Sequence, residues 1–248
     1  MVQNLVKQAD KSKVKTTVKE KKPLVFRKER KYAISDVSID VVENYVRSHP
    51  AMFSKPFPPR QINNIYFDTP KFQNYMDNIV GAKQRRKYRI RWYGEQYDHV
   101  EKPVLEIKIK EGLAGAKKYF PLAPFDLEPG FSEHDVRKML DQSDIPTEAR
   151  EALHHFVPTL LNRYQRKYYL SADRRFRVTL DTNVTYTLIS RYQNYFMRSV
   201  IDRDNVIMEL KYDIKDDAHV DWISDYFPFR MTKNSKYVNG VDSLDAWL

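Results

Sequence analysis

The sequence predicts an α+β fold, an antiparallel β-barrel tunnel with a cationic lumen and with helices packed outside it. At least five segments alternate between a charge-rich face and an apolar face with the two-residue period of a β-strand. The predicted helices carry apolar stripes, and the apolar strand faces are the surface available for them to cover. The charged faces are therefore expected to point inward, around a hydrated lumen. For any one strand, the opposite arrangement stays open, with an apolar interior and charges in solvent.

The segment 84–94 shows this alternation most clearly. Four cations share one face of the predicted strand, namely Arg85, Lys87, Arg89 and Arg91. The other face is mostly apolar and carries Arg86, Tyr88, Ile90 and Trp92. A solvated strand face usually mixes charge signs, because adjacent like charges repel. A purely cationic face therefore predicts an anionic partner.

The first half of the chain alternates strands and helices in order. Asp36 or Ser38 caps the first predicted helix, which ends at His49-Pro50, and Ser132 and Asp135 have the spacing of a capping box. Strands are predicted at 24–33, 63–67, 84–94, 104–111 and 116–122, and helices at 36–49, before residue 81, at 132–142 and at 147–156.

The second half repeats the alternating pattern and completes the predicted barrel. Strands are predicted at 161–170, 174–181, 183–190, 199–202 and 206–212, and a helix is predicted at 217–226. A terminal segment at 229–239 carries Lys233, Ser235 and Lys236 and has no predicted helix. Many strands, few glycines and helices packed outside favour an antiparallel barrel.

The composition of the chain limits which kinds of site and partner it can have. The chain has 248 residues, no cysteine and a formal charge of +10. The absence of cysteine excludes disulfide frameworks and thiolate sites and suits a cytoplasmic location. No apolar run is long enough for a transmembrane segment. The positive charge predicts a polyanionic partner, which composition leaves open among nucleic acid, an acidic membrane surface and phosphates.

Residues 1–22 form a basic tail, and residues 23–248 form the predicted folded domain. The tail has no apolar face of either period, so it is predicted to be disordered and solubilising. A tethering arm for an anionic surface is the alternative.

Eight cations are predicted to converge in the lumen: Lys31, Arg89, Arg91, Lys108, Arg163, Arg177, Lys211 and Lys236. Two such charges 4 Å apart repel by about 4 kcal/mol at an effective dielectric constant of about 20. A chain of phosphates would counter this repulsion, and the arginine fork suits phosphate oxygens. Four carboxylates share these faces and could pair with cations or hold a hard divalent metal: Glu29, Glu106, Asp181 and Glu209. Metal binding is favoured for Glu209, and both roles stay open for the other three.

The sequence excludes several kinds of site. It contains no glycine-rich phosphate loop, its six histidines lack metal-ligand spacing, and no Ser/His/Asp constellation can be argued. Phosphoryl transfer remains possible, because it needs positioning, charge neutralisation and a metal rather than a protein nucleophile.

Eight short motifs occur in the order found in one known family. They are Glu-Arg-Lys-Tyr at 29–32, Ile-Tyr-Phe-Asp-Thr-Pro at 65–70, Arg-Lys-Tyr-Arg-Ile-Arg-Trp-Tyr-Gly at 86–94, Leu-Glu-Ile-Lys at 105–108, Asn-Arg-Tyr at 162–164, Phe-Arg-Val-Thr-Leu-Asp at 176–181, Met-Glu-Leu-Lys-Tyr at 208–212 and Ser-Lys-Tyr at 235–237. Together they resemble the VTC domain, the polyphosphate polymerase domain of the vacuolar transporter chaperone complex. That family belongs to the triphosphate tunnel enzymes, whose fold is an antiparallel barrel with a cationic lumen.

The resemblance implies an activity and roles for residues. ATP would bind with Mn²⁺ or Mg²⁺, and its terminal phosphate would pass to a growing chain of inorganic polyphosphate. The eight cations would hold phosphates and Ser235 would add a hydroxyl. The catalytic set would be Arg89, Arg91, Lys211 and Glu209, with Glu209 on the metal.

One departure bears on the reaction. Triphosphatase and cyclase members of the superfamily open with a Glu-x-Glu-x-Lys strand, whereas this chain has Arg27-x-Glu29-x-Lys31. The change argues against the second hypothesis, a tunnel triphosphatase or nucleotide phosphohydrolase. The third hypothesis is a non-catalytic module that binds polyphosphate or RNA. Nucleic acid is disfavoured, because the tyrosines among the basic residues are more simply explained by barrel packing. The chain is expected to be a free-standing bacterial version, with a separate membrane partner left open.

Overall fold

The computed structural model describes residues 27–112 and 114–246, so the predicted basic tail lies outside the described part of the chain. Eleven strands lie within these ranges: β1 Arg27–Ser35, β2 Arg60–Asp68, β3 Gln84–Tyr93, β4 Asp98–Val100, β5 Val104–Glu111, β6 Ala114–Pro121, β7 Phe125–Leu127, β8 Val157–Leu170, β9 Phe176–Leu188, β10 Ser199–Asp202 and β11 Asn205–Asp213. The helices are α1 Ile39–Arg47, α2 Gln73–Ile79, α3 Glu133–Asp141, α4 Thr147–Leu153, α5 Val220–Ser224 and α6 Lys236–Ser243.

Eight of the strands close into an antiparallel barrel. The order around it is β9, β11, β1, β6, β5, β3, β2 and β8, and β8 pairs again with β9. The short strand β10 lengthens the sheet along β9, and β4 pairs with β7 outside the barrel. The predicted antiparallel barrel is therefore confirmed.

The apolar strand faces lie outside the barrel, where helices cover them. One cluster joins Tyr88, Ile90 and Trp92 of β3 to Val136 of α3 and Leu153 of α4. A second cluster joins β1, β9 and β11 to α1 and α5 through Tyr32, Val178, Met208, Val42 and Ile223. Because successive side chains of a strand point to opposite faces, covering the apolar faces with helices turns the charged faces toward the lumen.

Local signals set most helix ends. Ser38 caps α1 by accepting from the Val41 amide at 3.4 Å, and Ser132 and Asp135 form a capping box at α3, as predicted. The helix predicted at 217–226 is a 3₁₀ turn at Ile214–His219 followed by α5. Strands β4 and β7 have no predicted counterpart, because three residues are too short for a period to show.

The helix α6 packs against lumen-facing side chains at one end of the barrel. A Cβ at Gly240 would lie 2.5 Å from Leu160 of β8 and 2.6 Å from Tyr186 of β9. Both side chains belong to an inner apolar cluster with Tyr164 and Tyr237. This short helix with an internal glycine has weak intrinsic propensity, so tertiary packing determines its existence. It places Ser235 and Lys236 at the lumen.

No helix in the described ranges is both long enough and apolar enough to cross a membrane.

Candidate active site

The barrel lumen contains a cationic cavity of about 620 Å³, including the solvent at its mouth. Nine of its fifteen lining residues are lysine or arginine: Lys31, Lys87, Arg89, Arg91, Lys108, Lys117, Arg166, Lys211 and Lys236. The other six are Glu29, Tyr66, Tyr164, Glu209, Ser235 and Tyr237. The strands contribute these side chains from their charged faces, and α6 adds Ser235, Lys236 and Tyr237 at its N-terminus.

Most of the residues predicted to hold phosphate meet in this cavity. Of that set, those that line the cavity are Lys31, Arg89, Arg91, Lys108, Lys211, Ser235 and Lys236. Of the candidate metal ligands, Glu29 and Glu209 line the cavity, whereas Glu106 and Asp181 contact lining cations from behind.

Two predicted residues are not in the cavity. Arg163 lies on the outer face of β8 with Leu161, because Asn162 and Tyr164 occupy the lumen face. Arg177 alternates with Thr179 and Asp181 toward the lumen, but it is exposed and lies outside the cavity lining. The predicted convergence is therefore corrected at these two positions.

Three lining cations were not among the predicted phosphate ligands. Lys87 shares its strand face with Arg89, so the alternation itself pointed to it. Arg166 replaces Arg163 as the cation that β8 contributes, and Lys117 comes from a strand with two adjacent lysines, which leaves its facing ambiguous.

Glu209 lies close to three cations of the cavity. Its oxygens lie 2.5 Å from Lys211 Nζ, 3.2 Å from Lys31 Nζ and 3.5 Å from Arg166. Burial alone would raise the pKa of Glu209, but the ammonium groups of Lys211 and Lys31 outweigh burial and hold this pKa well below its usual range. Glu209 is therefore an anion in the free protein.

Glu106 serves the two arginines of β3. It accepts from Arg89, lies 3.1 Å from Arg91 and lies 3.5 Å from Lys117 Nζ. Burial acts to raise the pKa of Glu106, and the opposing charges of Arg89 and Arg91 lower it overall. The carboxylate fixes both guanidinium groups at the lumen wall.

Asp181 holds Arg166 and Lys236 at the base of the cavity. Its side chain is fully buried, accepts two bonds from Arg166 at 2.5 and 2.6 Å, and accepts one from Lys236 Nζ at 2.5 Å. All its close contacts among the described residues are cations, so the structure favours the pairing role for Asp181 as for Glu106.

The cavity carries more positive charge than its carboxylates balance. Nine lining cations face four carboxylates, Glu29, Glu106, Asp181 and Glu209. Burial lowers the pKa of Lys87 well below its usual range, and Lys31 and Lys108 lower it further. Burial also lowers the pKa of Lys117; Glu106 opposes this effect, and Arg89 and Arg91 lower the pKa further. Such lysines gain a favourable partner when an anion binds.

The N-terminus of α6 adds neutral donors and acceptors to this cationic wall. Ser235 caps the helix, and its Oγ accepts from Lys87 Nζ at 2.8 Å. The Asn234 carbonyl accepts from Lys31 Nζ at 3.0 Å. Because a helix N-terminus presents free amide groups and the positive end of its dipole, its placement here suits an anion.

The donor set fits a divalent metal that arrives with phosphate oxygens. Glu209 and Glu29 both approach Lys31 Nζ, at 3.2 and 3.6 Å, so two carboxylates flank one point of the cavity. No group of three or more His, Asp or Glu side chains suited to a metal occurs within residues 27–112 and 114–246. Mg²⁺ is commonly held by one or two carboxylates together with substrate phosphates and water. The residues therefore fit a shared metal site rather than an all-protein cage.

Comparison with known proteins now decides the family. The VTC domain matches residues 26–245, which is almost the whole chain. The chain belongs to the VTC domain family. Among curated proteins, no match was found.

Solved structures share the fold of this VTC domain. A proposed adenylate cyclase from Vibrio parahaemolyticus is similar at a TM-score of 0.52 and 13% identity, over 87% of this chain and 98% of the other. A proposed adenylyl cyclase from Hippeastrum, described as having a dominant triphosphatase activity, is similar at a TM-score of 0.50 and 12% identity, over 88% and 96%.

Proposed function

We propose that this VTC domain is a metal-dependent polyphosphate polymerase that transfers the terminal phosphate of ATP to inorganic polyphosphate. The observation that carries the proposal is the excess of cations in a closed lumen, nine against four carboxylates. A linear chain of phosphates places a negative charge on every unit, so it can neutralise a row of cations along a tunnel. Compact or singly charged substrates would leave most of that row unpaired.

The residues supply what the transfer requires. An oxygen of the terminal phosphate of the chain attacks the γ-phosphorus of ATP, the bond to the bridging oxygen breaks, and ADP leaves with the electron pair. The attacking oxygen is already anionic near neutral pH, so no general base is needed. What the reaction needs is alignment of two polyanions and neutralisation of the charge between them.

Arg89 and Arg91 are proposed to clamp phosphate oxygens with their planar guanidinium forks, which Glu106 orients. Lys31, Lys211 and Lys236 surround Glu209 and Asp181 and are proposed to neutralise the transferred phosphate. Glu209 is the residue proposed to hold Mn²⁺ or Mg²⁺, which would add charge neutralisation on the phosphate oxygens when bound.

The second candidate is a tunnel triphosphatase, which the likeness to the Hippeastrum structure favours. Hydrolysis needs a water molecule to be activated, and the family resemblance implies that the first glutamate of the Glu-x-Glu-x-Lys strand contributes to this in the triphosphatase members. This chain has Arg27 there instead, paired with Asp213 at 3.1 Å near the surface. The substitution supports transfer to a phosphate chain over transfer to water.

One assay separates these functions. The protein is incubated with ATP and Mn²⁺, and the products are resolved on a gel for polyphosphate and measured for free phosphate. Long chains identify a polymerase, free phosphate without chains identifies a hydrolase, and the absence of both identifies a binding module. Arg91→Gln, which changes a cavity residue, should abolish chain synthesis, whereas Arg163→Gln, which changes an outer-face residue, should not.

The donor also bears on location. ATP as the donor suits a cytoplasmic location, which we include in the proposal.

A further inference from the structure

The strand β6 carries an exposed aromatic ring just beyond the cationic cavity. Lys117 lines the cavity, and Tyr119 is the next residue on the same face of this strand. Tyr119 lies directly opposite Glu106 across the β5–β6 pair, and Glu106 lies opposite Arg89 across the β3–β5 pair. The row Arg89, Glu106 and Tyr119 thus runs from the phosphate clamp to solvent, where the Tyr119 side chain is 56% exposed.

The Tyr119 ring contacts no aromatic, cationic or hydrogen-bonding side chain of residues 27–112 and 114–246 in the ways that usually engage a tyrosine. Within the described ranges it has no stacked aromatic neighbour, no cation over its face and no side-chain hydrogen bond. Burial and Glu106 raise the pKa of Tyr119, while Arg89, Arg91 and Arg27 act in the opposite direction. A large apolar face left in solvent beside a phosphate site is available for a ligand.

Other rings near the lumen are already engaged. Tyr66, Tyr164 and Tyr237 are buried, and the Tyr164 ring has Lys236 and Arg166 over its face at 4.7 and 5.2 Å. At the surface, Tyr93 and Tyr168 pack around the Arg60 guanidinium at 5.5 and 5.8 Å. Of these rings, Tyr119 alone combines a lumen-facing position with a free face.

We propose that Tyr119 is the stacking platform for the base of the donor nucleotide, a subsite immediately outside the phosphate cavity. The proposal rests on the proposed function, because it assumes a nucleoside triphosphate donor. With phosphates on Arg89 and Arg91, a nucleoside that extends from the cavity toward solvent would meet Tyr119, the exposed member of the cross-strand row that begins at Arg89. Stacking uses the π-face that every base has, so the subsite tolerates different bases. Glu106 is committed to three cations and is poorly placed to read a base edge. ATP and GTP should therefore bind with similar affinity.

The test compares a ligand with a base to a ligand without one. The protein is titrated in a calorimeter, in the presence of Mg²⁺, with the β,γ-imido analogue of ATP and, separately, with tripolyphosphate. Each titration gives the dissociation constant of that ligand. Tyr119→Ala should weaken the nucleotide analogue by about 5- to 150-fold, the change expected from loss of one base–aromatic stack, and leave tripolyphosphate within about twofold. Tyr119→Phe keeps the ring and should keep both affinities. Tyr192→Ala, which changes another exposed tyrosine in the 190–198 loop, should change neither.

Equal weakening of both ligands by Tyr119→Ala would overturn the proposal, since the side chain would then shape the phosphate site. Unchanged nucleotide affinity would overturn it as well, as would equal loss in Tyr119→Phe. These outcomes are separate from the fate of the proposed function. If the wild-type protein makes no polyphosphate while Tyr119→Ala selectively loses affinity for the nucleotide analogue, the polymerase is refuted and the stacking role of Tyr119 is retained. A melting temperature equal to that of the wild type shows that each variant is folded.

Discussion

Replacing Lys87 by methionine should stabilise the free protein and weaken its binding of phosphate. Lys87 lies between Arg85 and Arg89 on one strand face and directly opposite Lys108. Residues two apart on a strand are about 6.6 Å apart, and two unit charges at that distance repel by about 2.5 kcal/mol at an effective dielectric constant of about 20. The bond from Lys87 Nζ to Ser235 Oγ at 2.8 Å opposes this, by about 1.5–3 kcal/mol for a charged donor. Partial loss of the Lys87 proton further reduces the repulsion that is relieved, because the pKa of Lys87 is low.

About 2.5 kcal/mol of repulsion from one neighbouring cation, less about 1.5 kcal/mol for the bond to Ser235, leaves a net gain for Lys87→Met of at most about 1 kcal/mol in the free energy of unfolding, or about 2–4 °C in melting temperature for a domain of this size. The assay is thermal unfolding with and without tripolyphosphate. The ligand should raise the melting temperature of the wild type strongly, since a ligand at 100 times its dissociation constant adds about 2.7 kcal/mol. It should raise that of the variant less. Arg86→Met, on the opposite face of the same strand, is the control and should change neither quantity. A Lys87→Met protein that is less stable than the wild type and binds tripolyphosphate equally well would refute the reasoning.

Three further predictions concern the carboxylates and the lysines of the cavity. Glu209→Gln should abolish turnover of ATP while keeping polyphosphate binding, because it removes the proposed metal ligand and frees Lys31 and Lys211; unchanged turnover would exclude Glu209 from the metal site. Asp181→Asn should lower the free energy of unfolding in urea by about 3–5 kcal/mol, since it removes the ion-pair partner of the buried Lys236 and leaves Arg166 only Glu209, at 3.5 Å; a loss below about 1 kcal/mol would show that Glu209 compensates for the missing charge. The stability of the free protein should also depend on pH in two windows, measured by urea unfolding at each pH. The pKa values of Glu29, Glu106 and Glu209 are lower in the folded state, so their contribution is present above the unfolded pKa and is lost as pH falls below about 4.3. The pKa values of Lys87, Lys117 and Lys108 are lowered, so the unfolded chain binds more protons, and stability should rise with pH between those lowered values and about 10.4. A flat profile above pH 7 would contradict the lysine assignments.

The sequence predicts the barrel and its inverted interior because alternation is a local property. In β3, Arg89 and Ile90 face opposite sides whatever the rest of the fold does. The prediction of inward charges then needs only the helices, whose apolar stripes can cover one face of the sheet. Lys87 could be read from the same pattern, because it shares its face with Arg89.

The remaining site residues depend on features that a period does not fix. On β8, Arg163 and Arg166 point to opposite faces of the sheet. Both faces of that strand are largely buried, so the sequence does not show which of the two arginines points into the lumen. The pairing of β8 with β9 also shifts register near Arg163, so the facing of residues beyond it cannot be counted from a strict two-residue period. In β6, two adjacent lysines point to opposite faces of the sheet, and only the structure shows that Lys117 is the one that points into the lumen.

The roles of the carboxylates could not be separated from sequence, because metal binding and ion pairing use the same residue type. Distances in the structure separate the two roles in part, since Asp181 accepts hydrogen bonds from Arg166 and Lys236 and therefore serves in ion pairing. The helix α6 is the largest omission. Its packing against Leu160 and Tyr186 brings Ser235 and Lys236 to the lumen, and this contact links residues far apart in the chain.

The most direct test of phosphate binding inside the barrel is a crystal structure of the protein with tripolyphosphate. Its phosphate oxygens are predicted to lie within hydrogen-bonding distance of Arg89, Arg91 and Lys211, enclosed by the eight strands. Electron density for the ligand only on the outer face, for instance beside Arg163, with the lumen holding water alone, would contradict the account.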